Sequence, residues 1–237
     1  MRGKTMKRLT CASLLCVAAS VTLLATPITP TYTTFGTLSG ATFGGTGIPN
    51  HAVAITTISN VTLGLTAHAR YSNPLVLNNG AGVFTAVAGG DIYTPAPNTQ
   101  PTWARWNFGW YAYSSGSGNY LLDLRYDFDP GVGTDESSLG KILIPLGPSA
   151  PLLQDSWNLG MTFLDTSTPP WVTPPTYPSF DPNASGEYSF ALILRDLSGN
   201  ELGRAAILVN AVPEGGATLG LLGVGLLGLV ALARRQS

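Results

Sequence analysis

Three stretches of the chain alternate strictly between two sets of positions. Val61, Leu63, Leu65, Ala67 and Ala69 occupy one set, and Thr62, Thr66, His68 and Arg70 the other. Trp106, Phe108, Trp110 and Ala112 alternate with Arg105, Asn107, Gly109, Tyr111 and Tyr113. Tyr120, Leu122, Leu124, Tyr126 and Phe128 alternate with Leu121, Asp123, Arg125, Asp127 and Asp129. A strand turns successive side chains to opposite faces, so this period of two predicts half-buried antiparallel strands. Further strands are predicted near 32–40, 52–58, 82–88, 140–146 and 157–164. A terminal hairpin is predicted over 187–195 and 201–211, around Leu197-Ser198-Gly199-Asn200. This pattern, without a helical period, predicts an all-β passenger over 26–211: an antiparallel β-sandwich, jelly-roll-like. Thr94–Pro101 holds three prolines and Thr166–Asn183 six. Proline cannot serve a central strand, so both segments are expected as surface loops, stiff connectors before binding loops.

The alternation is absent from both ends. Arg2, Lys4, Lys7 and Arg8 precede a largely apolar stretch, Leu9–Ala25, which gives way to Thr26-Pro27. That basic, apolar, small-residue order predicts a signal peptide over 1–25, its apolar part helical. Near the other end, Ala217–Ala233 carries no charge and is followed by Arg234-Arg235. At ~1.5 Å per residue this run makes about 26 Å of helix, close to a hydrocarbon core of roughly 30 Å. A transmembrane helix is therefore expected over 217–233. Cationic flanks stay on the cytoplasmic side, which places 26–212 outside.

Val212-Pro213-Glu214, a small spacer, the Gly/Leu-rich span and Arg234-Arg235 together resemble the PEP-CTERM sorting signal of Gram-negative bacteria. The resemblance covers about residues 211–237, with Gly215 where that family has its second proline. Val-Pro-Glu-Gly-Gly is also similar to the related tail variant with Val-Pro-Asp-Ser-Gly. The resemblance implies that exosortase, an integral-membrane cysteine transpeptidase-like enzyme, recognises the motif and cuts there. It further implies an exported client, held transiently in the inner membrane before reaching the cell surface or the extracellular space. Many such clients belong to extracellular polysaccharide or biofilm systems. Thr42–Asn50 and Gln154–Gly160 look like parts of the β-rich passengers of such clients, whose function is generally unassigned.

Charge narrows the partners. Only 11% of the residues are charged, against roughly a quarter in an average soluble domain. Between the two ends lie six cations (Arg70, Arg105, Arg125, Lys141, Arg195, Arg204) and, leaving out Glu214, twelve acids. Such a domain repels a phosphate backbone, which argues against nucleic acid. Both cysteines, Cys11 and Cys16, fall in the N-terminal apolar run, so a chain cut after it has no thiol. The only histidines are His51 and His68, and no Gly-x-Ser-x-Gly occurs. Triad catalysis and a zinc site both lack their side chains, and the chain is expected not to be an enzyme.

Two weaker patterns carry candidate chemistry. Asp127, Asp129 and Asp135 flank a glycine-rich turn, an arrangement of hard oxygens that calcium could use. Asp181-Pro182-Asn183-Ala184-Ser185-Gly186 looks like the first half of an EF-hand loop, with Leu192 where its last glutamate should be. The competing reading pairs Arg125 with Asp123 or Asp127 and leaves the other acids to solvate a turn. Glycoside hydrolysis is disfavoured because these carboxylates are too close in sequence for opposed roles. The aromatic residues of 103–113 fall into two sets, with Trp103, Tyr111 and Tyr113 opposite Trp106 and Trp110. The first set is a candidate glycan platform, and the alternative is that it fills the core. The expected function is that of a structural or adhesive protein of the cell envelope or extracellular matrix. The alternative is a polysaccharide-binding module at the cell surface.

Overall fold

A computed structural model describes residues 26–215, all of them in one all-β, sandwich-like fold. The segment 1–25, expected to be a signal peptide, the run 217–233, expected to span a membrane, and Arg234 and Arg235 lie outside the described residues. The strands are β1 (Thr34–Gly36), β2 (Val53–Ile58), β3 (Val61–Ala69), β4 (Leu77–Asn78), β5 (Val83–Val87) and β6 (Trp106–Ser114). They continue with β7 (Tyr120–Tyr126), β8 (Gly140–Leu146), β9 (Leu152–Trp157), β10 (Val172–Thr173), β11 (Gly186–Arg195) and β12 (Glu201–Val212). One sheet has five strands in the order β1-β2-β3-β6-β9, and the other has seven in the order β10-β8-β7-β11-β12-β5-β4.

The alternating residues of β3, β6 and β7 supply the core, as their pattern predicts. Leu63, Leu65 and Phe108 meet Leu122, Leu124, Phe190, Leu192 and Ile207 between the sheets. Phe108 stacks on Phe190 with ring centroids 4.7 Å apart, and Trp106 meets Phe190 edge-on at 6.0 Å. Offset and edge-on pairs of this kind contribute about 0.5–1.5 kcal/mol beyond the area they bury.

The structure departs from the expected pattern in three respects. Pairing is not wholly antiparallel: β5 runs parallel to β12, from Val83 opposite Leu208 to Val87 opposite Val212. Their C-terminal ends therefore emerge together, and Ala88 N donates to Val212 O at 2.8 Å. The strand expected over 157–164 lies earlier, as β9. Residues 162–165 form a 3₁₀ turn that buries Leu164, and Leu159 is buried from the turn before it.

Nor are the central strands half-buried, because segments outside the strands cover both sheets. Leu38, Ala41 and Phe43 pack with Val53 and Tyr111 over the outer face of the five-stranded sheet. Ile28 packs with Leu139, Ala191, Ile193 and Ala206 over the outer face of the other. Gly109 in β6 allows this close cover, since a Cβ there would stand 3.0 Å from both Phe43 Cδ1 and Thr66 Cγ2.

Candidate functional site

The motif at the end of β12 is positioned by the parallel β5–β12 pair. Val212 is the last paired residue, and Pro213 and Glu214 are exposed. Proline has no N–H to offer a neighbouring strand, so the ladder stops there. The Glu214 side chain is nevertheless held, for Tyr93 OH donates to it at 2.9 Å and Arg105 Nη1 lies 2.9 Å away. Arg105 and Tyr93 both lower the carboxyl's pKa, and the bond to Glu214 raises that of the Tyr93 phenol. Arg105 is itself buried, its Nε donating to Gly90 O at 3.2 Å. Gly89, at φ +130°, makes room for it, since a Cβ there would stand 2.9 Å from the guanidinium carbon. The motif is therefore exposed and at the same time tethered through its acid.

A second site lies on the outer face of the five-stranded sheet, where β3, β6 and β9 bring His68, Asn107 and Ser156 together. Asn158 Nδ2 donates to Asn107 Oδ1 at 2.8 Å, and Asn107 Nδ2 donates to Ser156 Oγ at 3.0 Å. Ser156 Oγ lies 2.9 Å from His68 Nε2, and His68 Nδ1 lies 2.9 Å from Ala69 O. A carbonyl only accepts, so Nδ1 carries the proton, Nε2 accepts, and the serine hydroxyl donates. Burial lowers the pKa of His68 against the opposing effect of the Ala69 carbonyl, which favours a neutral imidazole.

Beside this row, Arg70 Nε donates to the fully buried Asp91 at 2.8 Å, and Asn73 Nδ2 donates to its other oxygen at 2.7 Å. Burial pushes the Asp91 carboxyl up, but the bonds from Asn73, Thr94 and Arg70 outweigh it and hold the pKa at about 2. The Arg70 guanidinium lies over the rings of Tyr71 and Trp103, 4.9 and 4.6 Å from their centroids. The loop Gly44–Pro49 forms another wall, its approach fixed by Thr42 N and Phe43 N, which both donate to Gln154 Oε1 at 2.8 Å. The cleft measures about 570 Å³ and includes Asn98 and Gln100 of the first proline-rich loop. That segment is thus a wall of the cleft as well as a connector. Trp103 and Met161 form a ridge shared with a shallower depression of about 540 Å³, bordered by Thr162, Phe163, Thr166 and Thr168. Asp155 also lines the cleft, its two oxygens accepting from Ser156 N and Trp157 Nε1 at 2.8 Å, and Arg70 is paired with Asp91. With both charges engaged, the amides, hydroxyl and aromatic surface suit an uncharged, hydroxyl-rich ligand.

The candidates from the sequence are only partly brought together. Trp103 stands at this cleft, whereas Tyr111 is buried beneath Phe43 and Leu38. Tyr113 is 40% exposed at the far end of β6, paired with Thr62 and Leu152. The three rings therefore do not form one platform, because the segment before β2 covers the middle one.

Asp127, Asp129 and Asp135 do border one small cavity of about 260 Å³. Each carboxylate is committed to local N–H groups: Asp127 to Asp129 N and Ser189 N, Asp129 to Gly131 N, and Asp135 to Ser137 N and Thr26 N. Burial raises the Asp127 pKa to about 7. Among the described residues, no group of three His, Cys, Asp or Glu side chains is placed to hold a metal ion. Asp181 likewise accepts from Asn183 N at 2.9 Å within its own turn. Asp123 forms the expected pair with Arg125, at 2.7 Å, and a further one with Arg195 at 2.9 Å.

Sequence reasoning missed the row His68–Asn107–Ser156, having treated His68 as an isolated residue on a polar face. The available signal was a polar residue on the same face of each of three strands, readable only once their order is known. In comparison with known proteins, no family model matches the chain and no curated protein matches it.

Proposed function

We propose that the chain is an exported, membrane-sorted structural or adhesive protein of the cell envelope or extracellular matrix, without catalytic activity of its own. An exosortase-like membrane enzyme processes it near Glu214, after transient anchoring in the inner membrane. The observation that carries this reading is the junction at the end of β12. The last sheet residue, Val212, leads without a linker into exposed Pro213 and Glu214. The uncharged run Ala217–Ala233 and Arg234-Arg235 follow within a few residues. On this reading the motif stands between the folded domain and a membrane span, where an intramembrane enzyme can reach it. Each arginine opposes transfer of the span through hydrocarbon by about 2.5–3.5 kcal/mol on insertion scales.

Expression of the full chain and of a chain ending at Val212, in a Gram-negative host with and without such an enzyme, tests this. The full chain should be membrane-bound without the enzyme and released at lower mass with it. Equal membrane association and equal processing of the two chains would refute the sorting role.

A second reading, a polysaccharide-binding module, is favoured by the Trp103–Met161 ridge. A polymer can lie across two joined depressions, presenting a sugar ring to Trp103 and hydroxyl groups to Asn98, Gln100 and Asn107. This reading shares the location of the first and differs in giving the sandwich a ligand.

A further inference from the structure

We propose that the chain is cut between Ala25 and Thr26 and that Asp135 is the seat of the new N-terminus, its carboxylate pairing with the Thr26 α-ammonium. This rests on the export reading, with its signal peptide over 1–25, and adds to it an internal receptor for the new N-terminus. The Thr26 nitrogen already donates to Asp135 Oδ2 at 2.7 Å, across 109 positions of sequence. Glu136 N donates back to Thr26 O at 3.0 Å, and Pro27 forms an antiparallel bridge with Asp135. The carboxylate is preoriented for this contact, because Oδ1 is taken by Ser137 N at 2.8 Å and by the Ser137 hydroxyl.

The segment that follows is fixed in register. Ile28 is buried on the outer face of the seven-stranded sheet, and Thr31 and Ala206 exchange backbone bonds of 3.0 and 2.7 Å. Thr26 itself is exposed at the surface of the domain. The sequence places a small residue, Ala25, at the end of the apolar run and an N–H-bearing residue, not Pro27, on the far side of the bond.

The chemistry is hydrolysis by a membrane leader peptidase. Water adds to the Ala25 carbonyl carbon, the C–N bond breaks, and the carboxylate leaves with the apolar segment. The Thr26 nitrogen takes up the protons and becomes an ammonium. One neutral N–H···O⁻ contact is thereby converted into an ion pair with two further donors, and charge-assisted bonds of this kind are roughly twice as strong as neutral ones. The surroundings suit a cation. Asp129 borders the same cavity as Asp135, and Glu187 accepts from nearby Gly133. The neighbouring cation, Arg204, is engaged by Glu136 and Glu201. Capture of an N-terminal amine by preset acceptors is an established recognition mode.

The test exports the full chain, sequences the mature N-terminus and measures alkylation of its α-amine at pH 7. The mature chain should begin Thr26-Pro27-Ile28, and its amine should react about tenfold more slowly than that of Asp135→Asn, as expected for an amine held protonated by a partner. Because Asp135→Asn also weakens the cap of the 136–138 turn, a second variant carries Gly-Ser inserted after Ala25. It keeps Asp135 and should lose the protection equally. A mature chain beginning at another residue, or equal reactivity in all three proteins, overturns the inference while leaving export intact. A chain recovered outside the cytoplasm at its full uncleaved mass overturns the inference, and one never exported overturns the export reading with it.

Discussion

Arg105 Nη1 lies 2.9 Å from Glu214 Oε2, so a cation buried in the sandwich holds the acid of the exposed C-terminal motif. The contact exists because β5 and β12 run parallel: the loop leaving β5 and the segment leaving β12 start side by side. Such pairs are weak when one partner is solvated, and the tether should restrain the motif without locking it. Arg105→Gln should therefore make the Glu214–Gly215 bond about two- to fivefold more sensitive to a glutamate-specific protease. Unchanged cleavage kinetics would show that the tether does not control access to the motif.

The buried Arg70–Asp91 pair makes a stronger prediction. Removing one member of a buried, fully hydrogen-bonded pair costs about 3–5 kcal/mol, because the other is left charged and unpaired. Asp91→Ala should show a loss of that order in denaturant titration, whereas Lys141→Ala, on an edge-adjacent strand, should be nearly neutral. The folded pKa of Asp91, about 2, lies below its ordinary value. Its stabilising contribution is thus present above about pH 4 and lost as the pH falls towards 2. Acid unfolding of the parent should steepen in that window, and Asp91→Asn should flatten it.

Asp127 has the opposite sign. Burial raises its folded pKa to about 7, so the folded state binds a proton that the unfolded state has released above about pH 4. Stability should fall between pH 4 and pH 7 on this account and level off above. Asp127→Asn should raise stability by roughly 1–3 kcal/mol at pH 8 and change it little at pH 4. The same experiment addresses calcium, because a chelator should leave the melting temperature unmoved at pH 7. A calcium-dependent rise that Asp129→Ala abolishes would restore the acidic turn as an ion site.

How far the sequence can be read follows from where each signal resides. β3, β6 and β7 were legible because their alternation is local. So was the β11–β12 hairpin, expected over 187–195 and 201–211 and found at Gly186–Arg195 and Glu201–Val212. The stretch 157–164 misled because Leu159 and Leu164 are buried from a turn, and apolar spacing cannot distinguish a short strand from irregular backbone packed on a core. Tyr111 misled for a different reason. Its position on the outer face is correctly read, but that face is covered by the segment bearing Phe43, which comes from some 70 positions earlier. The cleft was beyond reach for the same cause: His68, Asn107 and Ser156 are brought together only by the lateral order of β3, β6 and β9.

That cleft supplies the last prediction. Trp103 is fixed on one side by Arg70, whose guanidinium lies 4.6 Å from its ring centroid, and it borders both depressions. It is therefore a preorganised ring, and truncating it should remove affinity without requiring the loop to refold. If the sandwich binds neutral polysaccharide, Trp103→Ala should weaken retention in affinity electrophoresis by about tenfold, corresponding to ~1.4 kcal/mol. Tyr113→Ala, exposed but remote from the cleft, should have no effect. Asn107→Ala should weaken binding less than Trp103→Ala, and its effect should persist in high salt, because the groups it orients are uncharged. Equal retention of the parent, Trp103→Ala and Tyr113→Ala across a panel of neutral polysaccharides would remove the binding-module reading and leave the structural one.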